Sequence, residues 1–542
     1  MDTTIEDSTD ETGPFGRPLF EDPSARALSR VGVVDVGSNS VRLVVFDGAA
    51  RSPAYFYNEK VLAGLGQGLA ESGRLNPEGR VRALAALRRF AALARGMDLP
   101  DLTCVATAAV REAADGAEFQ AEVEAATGLK LWVIDGREEA RLSAQGVLLG
   151  WPGAEGLVCD IGGNSMELAE VSGGQIGRRL TSALGPFRLQ EVGGGQKGLA
   201  AHIRRTVEGL AAEIGTKHER IYLVGGSWRA FARLDMERRA YPMTVLHEYR
   251  MGPKSVLQTA HWIAESDLAA LRARTGTSAA RMALVPLAAQ VLRQMVLTFR
   301  PKEIDVSAYG IREGLLYEQM PERLRRRDPL IEACRFAEKT AARMPGFGKK
   351  LFAFLTPLYR SASPARLRMV KAACLLHDTT WRAHPDYRAE ACFDNATRAN
   401  LGGLSHPERV FLGLALLHRY KNSRAGSRME PLFSLLDPQQ IQEAEVLGKA
   451  MRFGAMFAIR APEQAGTLVW QPKKKILELQ ITADAEALFG EVAQARFQSL
   501  ADSLGAQARR IAFIRIHATH SNLLISHVRV AQNRFPLLRD ML

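Results

Sequence analysis

Two stretches of the chain share one pattern, Asp-x-Gly-x-Asn-Ser. They are Asp35-Val36-Gly37-Ser38-Asn39-Ser40 and Asp160-Ile161-Gly162-Gly163-Asn164-Ser165, 125 residues apart. Each follows an apolar run of strand length and leads into another, so each reads as a strand, a glycine turn and a returning strand. One such turn is usually no more than a hairpin. A matched pair constrains the fold further, because it predicts two similar domains whose opening hairpins face one another across a cleft.

The rest of the chain fits that plan. Strand-like runs at 31–34, 41–46, 102–106 and 129–134 alternate with helical patterns at 76–94 and 116–127, which argues for an α/β domain. A second round opens at Gly156. From 322 to 460 the pattern is helical almost throughout, with Ala, Leu and Arg at helical spacing. The last segment predicts strands at 467–470, 476–481 and 510–516 and a helix over 485–504 capped by Asp484. The expected division is therefore a mobile tail over 1–29, α/β domains over 30–150 and 151–321, a helical domain over 322–462 and a small α+β unit over 463–542.

Composition narrows the function classes. With 46% hydrophobic and 24% charged residues, the chain can bury several cores. The longest apolar runs, such as 281–299, are interrupted by Arg or Pro, so no bilayer-crossing segment and no membrane partner are expected. The N-terminus carries Glu6, Asp7, Asp10 and Glu11 where a secretory signal would be basic, which makes a cytoplasmic address the expectation. The five cysteines (Cys104, Cys159, Cys334, Cys374, Cys392) have no CxxC spacing and predict neither disulfides nor a zinc knuckle. A net charge of +12 favours a polyanionic partner, whether nucleic acid, an acidic membrane surface or a chain of phosphates.

The two turns choose among these. Backbone N–H groups at Gly37, Gly162 and Gly163 can converge on phosphate oxygens, which approach closely where no Cβ intervenes. Ser38, Asn39, Ser40 and Ser165 add neutral donors, and Asp35 and Asp160 at the strand ends can hold a hydrated divalent cation.

Further blocks carry a resemblance. They are 106–113 (Ala-Thr-Ala-Ala-Val-Arg-Glu-Ala), 134–141 (Ile-Asp-Gly-Arg-Glu-Glu-Ala-Arg), 223–227 (Leu-Val-Gly-Gly-Ser) and 309–317 (Tyr-Gly-Ile-Arg-Glu-Gly-Leu-Leu-Tyr). With the two turns, in this order, the chain resembles the exopolyphosphatase and guanosine pentaphosphate phosphohydrolase (Ppx/GppA) family of the actin-like phosphotransferases. The resemblance implies an α/β fold of two actin-like (ribonuclease H-like) domains around a cleft, followed by a helical HD-like domain. It implies release of terminal orthophosphate from inorganic polyphosphate or from guanosine pentaphosphate, with Mg²⁺ or another divalent cation, by a homodimer. Glu139 matches the family's catalytic glutamate, Arg111 its phosphate-binding arginine and Glu167 the acid that helps with water or metal. Asn164 stands where the family has a third glycine, and with Gly162, Gly163 and Ser165 it is expected to bind phosphate; Met166 replaces a threonine. The Gly225-Gly226-Ser227 block corresponds to the adenosine site of actin-like kinases but does not imply ATP.

In the helical region His377-Asp378 resembles the metal pair of HD phosphohydrolases, with His384, His406 and His418 downstream. No histidine occurs from 262 to 376 to complete it, so the pair reads as degenerate. Basic residues at 323–327, Arg419, Lys421, Arg424 and 473–475 could line a track for a long polyanion. Two other classes stay open on the residues alone: a kinase of the actin-like fold, and a non-catalytic protein that binds polyphosphate or nucleic acid.

Overall fold

The structure, a computed structural model, describes residues 30–47, 51, 53–99 and 102–512. The expected tail over 1–29 lies outside them. Contacts group the chain into two compact units, one of residues 1–333 with 400–405, the other of 334–399 with 406–542.

The first unit contains two sheets. In the first, β1 (Val31–Val36) pairs antiparallel with β2 (Val41–Phe46), and β2 with β3 (Tyr55–Val61). On its other side β1 runs parallel to β4 (Thr103–Ala106), and β4 to β5 (Leu131–Val133), giving the order β3-β2-β1-β4-β5. The second sheet comprises β6 (Gly156–Ile161), β7 (Met166–Ser172), β8 (Gln175–Ser182), β9 (Arg220–Val224), β10 (Tyr249–Met251) and β11 (Glu303–Val306), in the order β10-β11-β9-β6-β7-β8. Without the edge strand β10, its order and strand directions repeat those of the first sheet. The duplication suggested by two hairpins thus extends to whole sheets.

Burial explains the strands. β1 and β6 are central, and Val33, Val34, Leu157 and Cys159 are fully enclosed. One face of the first sheet packs Val34, Val36 and Leu43 on Leu87 and Phe90 of the helix Pro77–Gly96. That helix starts where Asn76 accepts the Gly79 N–H at 2.8 Å, a cap worth ~1 kcal/mol, with Pro77 in its first turn. The other face shares a core with the second domain: Val33, Val44, Val158 and Tyr222 enclose Leu142, Val147 and Leu148 of the helix Gly136–Gly150. This helix lies between the two sheets, and it carries Glu139.

Some bounds differ from those read in the sequence. The first unit continues past 321 to Ala333 because Leu324 packs into its core. The segment Ala279–Phe299 is long and apolar enough to cross a membrane by length and composition; over half of it is buried, with Val285, Leu292 and Met295 in the second domain's core. The helix expected over 485–504 starts at Glu491, after Gly490, and Asp484 sits in the preceding 3-10 turn Ala483–Leu488. In the second unit helices and 3-10 turns lead to a sheet of β12 (Gly466–Gln471), β13 (Ile476–Ile481) and β14 (Gln507–Ala512). All five cysteines are buried and free.

Candidate active site

The two hairpins are the same structure built twice. Gly37 N–H donates to Ser40 O at 3.0 Å, and Gly162 N–H donates to Ser165 O at 3.0 Å. The last pairs of each ladder are Val36 with Val41 and Ile161 with Met166, so both turns span four residues. Their tips meet within the first unit. A Cβ on Gly163 would come 3.2 Å from Ser38 Cβ, and one on Gly66 would press on Ser38 Cβ and Asn164 Oδ1 at 2.9 and 2.8 Å. Glycine at 66 and 163 is therefore what lets the loops approach.

Between the hairpins lies a cavity of about 450 Å³. Of the residues singled out in the sequence, Asp35, Gly37, Ser38, Asn39, Ser40, Glu139, Asp160, Gly162, Gly163 and Ser165 line it. Arg111, Asn164 and Glu167 stand just behind. Asn164 turns its amide oxygen toward Gly66, and Glu167 accepts a hydrogen bond from Thr181 Oγ1 at 3.0 Å while its Oε2 is buried without a partner.

Glu139 owes its position to local chemistry. Asp135 caps the helix Gly136–Gly150 by accepting the Glu138 N–H at 2.7 Å. Glu138 then points outward into an ion pair with Arg141, which also reaches Glu318 at 2.6 Å. Glu139, one residue on, turns inward and is 5% exposed. The helix can cross the helix Ile311–Glu318 closely because Gly146 and Gly314 face the backbone at Gly310 and Leu142, where any Cβ would overlap a carbonyl. Arg111 Nη1 donates to Ile134 O at 2.8 Å and lies 3.4 Å from Glu139 Oε2.

Electrostatically the cavity is divided. Burial, and then the charge of Asp160, push the Glu139 carboxyl well above the usual carboxylate range, against the pull of Arg111. Burial also raises Asp160 and Asp35, although Ser143 donates to Asp160 and Arg312 Nη1 lies 3.2 Å from Asp35 Oδ2. Glu167 is raised by burial and by Glu139 and Asp160. Facing these acids are five cations that sequence reasoning missed: Arg42, Lys60, Arg229, Arg281 and Arg312. Among the described residues only Arg312 has a carboxylate ion partner. Lost hydration and the neighbouring arginines hold Lys60 down to about 8, and burial holds Arg229 down to about 10. The helix Gly226–Arg238 also starts at the cavity, with Gly225, Gly226 and Ser227 on its wall and free N–H groups in its first turn. Such a site asks for several negative charges at once.

The acids also suit a divalent cation. Among the described residues no three His, Cys, Asp or Glu side chains form a ready metal cluster. Mg²⁺ does not need one: it commonly takes one or two carboxylates and completes its shell with water and phosphate oxygens. Asp35 and Asp160, at equivalent strand ends and both lining the cavity, provide such a pair, and the unpartnered Glu167 Oε2 lies behind.

Duplicated five-strand cores on either side of a cleft define a protein of the actin-like α/β class. The model of the Ppx/GppA phosphatase family matches residues 44–323, and that of the exopolyphosphatase C-terminal region matches 334–514. The chain belongs to the Ppx/GppA phosphatase family and is a hydrolase of phosphoric anhydride bonds. Similar solved structures include an exopolyphosphatase from Cytophaga hutchinsonii, with 22% identity, 54% of this chain and 98% of that one covered, and a TM-score of 0.49. Another is the Ppx/GppA phosphatase of Aquifex aeolicus, at 23% identity, 54% and 100% coverage and a TM-score of 0.46.

The HD-like pair lies in the second unit. Arg343 grips Asp378 through Nε at 2.9 Å and Nη2 at 2.7 Å, and His377 is buried with Nδ1 on Cys374 O. His384 is exposed beside Asp386, and His418 is buried with Nδ1 near Lys421 O, so these side chains have separate surroundings. Part of the expected basic track is also engaged locally. Arg325 donates to the carbonyls of Tyr317 and Glu318, Arg326 pairs with Glu322, Lys421 with Glu390 and Arg424 with Glu445.

Proposed function

We propose that the cleft is an exopolyphosphatase site, which releases orthophosphate from the end of an inorganic polyphosphate chain. The observation that carries this reading is the set Arg42, Lys60, Arg229 and Arg281, four cations around one cavity with no carboxylate ion partner among the described residues. A single phosphate would leave much of that charge uncompensated. A run of phosphates neutralises it.

In this mechanism the terminal phosphoryl group lies between the hairpins and accepts from the Gly163 N–H and from the Ser38 and Ser165 hydroxyls, while the Gly37 and Gly162 N–H groups close the turns. Glu139 orients a water molecule and takes its proton as the water oxygen bonds to phosphorus. The bridging P–O bond breaks, orthophosphate departs and the chain is one unit shorter. Arg111 keeps Glu139 oriented and turns its remaining donors toward the transferred group. A magnesium ion held by Asp35 and Asp160, with Glu167 behind them, would supply neutralising charge for the phosphate oxygens.

Guanosine pentaphosphate also brings several phosphates to such a site and is the second reading. Orthophosphate release should be measured from long polyphosphate and guanosine pentaphosphate side by side. Higher kcat/KM on polyphosphate is expected. A preference for the nucleotide would overturn the substrate assignment, and ATP-dependent phosphorylation of an acceptor without either hydrolysis would point to a kinase.

A further inference from the structure

The edge strand β3 serves the cleft through more than its lysine. Asn58 and Lys60 both line the cavity, and side chains two apart on a strand share a face. By that alternation Tyr55 would belong to the opposite face. The ladder between β2 and β3 slips, however: Val45 pairs with Tyr57 and Phe46 with Tyr55, which leaves Phe56 as an extra residue. Such a bulge re-aims the side chain beyond it, here Tyr55. Its ring lies 5.8 Å from that of Phe46, and its hydroxyl donates to Glu313 Oε1 at 2.6 Å.

Glu313 stands in the first turn of the helix Ile311–Glu318 and is fully enclosed. Its Oε2 accepts the Gly310 N–H at 2.8 Å, and among the described residues it forms no ion pair. One buried negative charge is therefore met by one O–H and one N–H, a separate donor for each oxygen. Arg312, the residue before it, lines the cavity with Nη1 3.2 Å from Asp35 Oδ2, while its enclosed Nε has no hydrogen-bond partner. Arg312 also feels the Glu313 charge, more strongly than that of Asp35. Two acids thus attract one guanidinium, and of the two only Asp35 lines the cavity.

A buried carboxylate oxygen left without a donor is costly, and a guanidinium beside it is the strongest donor it can recruit. Without the Tyr55 O–H, Glu313 Oε1 would draw Arg312 away from Asp35 and out of the cavity. We propose that Tyr55 is a positioning residue of the hydrolytic site: its O–H occupies Glu313 Oε1 and so leaves Arg312 to Asp35 and to the phosphate in the cleft. The bulge in β3 is what brings this hydroxyl to the cleft face. The inference rests on the cleft being the place of hydrolysis, and not on which phosphate compound is the substrate.

Steady-state hydrolysis by the full chain tests it, on whichever of long polyphosphate and guanosine pentaphosphate the parent cleaves faster. Tyr55→Phe keeps the ring and removes only the O–H; its kcat/KM should fall by about tenfold or more, as the loss of a hydrogen bond to a charged group does. Adding Glu313→Gln removes the competing charge, keeps an oxygen for the Gly310 N–H, and should restore most of that loss. A tyrosine with a merely structural role predicts the reverse, because the second change would then weaken a further contact. In an Arg312→Met background Tyr55→Phe should cost less than about threefold, since the residue it acts through is gone. If Tyr55→Phe alone does not fold, the double variant is compared with Glu313→Gln: equal hydrolysis is expected, and a further loss of about tenfold would overturn the role, because the hydroxyl would then act by another route. Parent-like hydrolysis by Tyr55→Phe while Arg312→Met is impaired, or no recovery on adding Glu313→Gln, would overturn the positioning role alone. Parent-like hydrolysis by Arg312→Met would overturn the reading of the cleft along with it.

Discussion

Arg42 and Glu167 occupy the same place in the two hairpins. Arg42 faces Asp35 across β1 and β2, and Glu167 faces Asp160 across β6 and β7. The duplicated scaffold thus carries opposite charge at one position. On the first domain's side the strand-end acid has a cation opposite it; on the second domain's side two carboxylates stand together, and Glu139 repels Glu167 while Asp160 repels Glu139.

That crowding should be visible as stability. Glu167 has a folded-state pKa raised above its unfolded value, so the folded protein holds the proton more tightly, and stability falls as pH rises through that window. Glu167→Gln keeps the Thr181 hydrogen bond and removes the repulsion. In chelator-containing buffer this variant should melt a few degrees higher than the parent near neutral pH, roughly what 1 to 2 kcal/mol gives for a large domain. The difference should shrink as pH falls toward the ordinary carboxylate range. A lower melting temperature at neutral pH would refute the account.

Lys60 supplies a second pH effect, this time on substrate capture. With its ammonium held down to about 8, it is charged below that pH and neutral above it. The kcat/KM for polyphosphate, which reports the free enzyme, should therefore decline above pH about 8. Added salt should move the decline upward by screening Arg42, Arg229, Arg281 and Arg312. Lys60→Met should flatten this limb of the profile; an unchanged limb in that variant would exclude Lys60.

How much of this was legible depends on whether the signal was local. Both hairpins could be read because turn glycines and strand valines sit next to each other in sequence. β3 and β8 could not: β3 is an edge strand whose Tyr55, Phe56 and Asn58 are exposed, so it lacks a clean apolar alternation. The five cavity cations come from separate segments, and only the fold brings them together. The Arg312 within Gly-Ile-Arg-Glu-Gly was the one with a nearby cue. Glu138 and Glu139 could not be separated by composition, since what distinguishes them is that Arg141 and Glu318 hold one side of the helix to the surface. Gly490 overrode the capping pattern at Asp484 by breaking the helix six residues later.

Glycine at 314 should matter to catalysis although it touches no substrate. A Cβ there would overlap the Leu142 carbonyl, forcing apart the helix that carries Glu139 and the helix that carries Arg312. Gly314→Ala should destabilise the first unit by about 1 to 3 kcal/mol, as overpacking does, and lower kcat in the fraction that remains folded. Wild-type melting and turnover would show that the crossing tolerates a methyl group.

The Glu139–Arg111 contact separates the base from its orienting partner. Glu139→Gln preserves shape and leaves an oxygen to accept from Arg111, but it cannot take a proton from water. Turnover on polyphosphate should fall by about 10² to 10⁴, with binding little changed or tighter, because a carboxylate that repels phosphate has gone. Arg111→Ala should lower kcat and also shift the apparent pKa of the basic group upward, since the one cation in hydrogen-bond contact with Glu139 is removed while burial and Asp160 still favour the protonated form. If the arginine acts through Glu139, adding Arg111→Ala to Glu139→Gln should cost much less than it does in the parent. Full additivity of the two losses would instead assign Arg111 to phosphate alone, and near-wild-type turnover of Glu139→Gln would remove Glu139 from the mechanism.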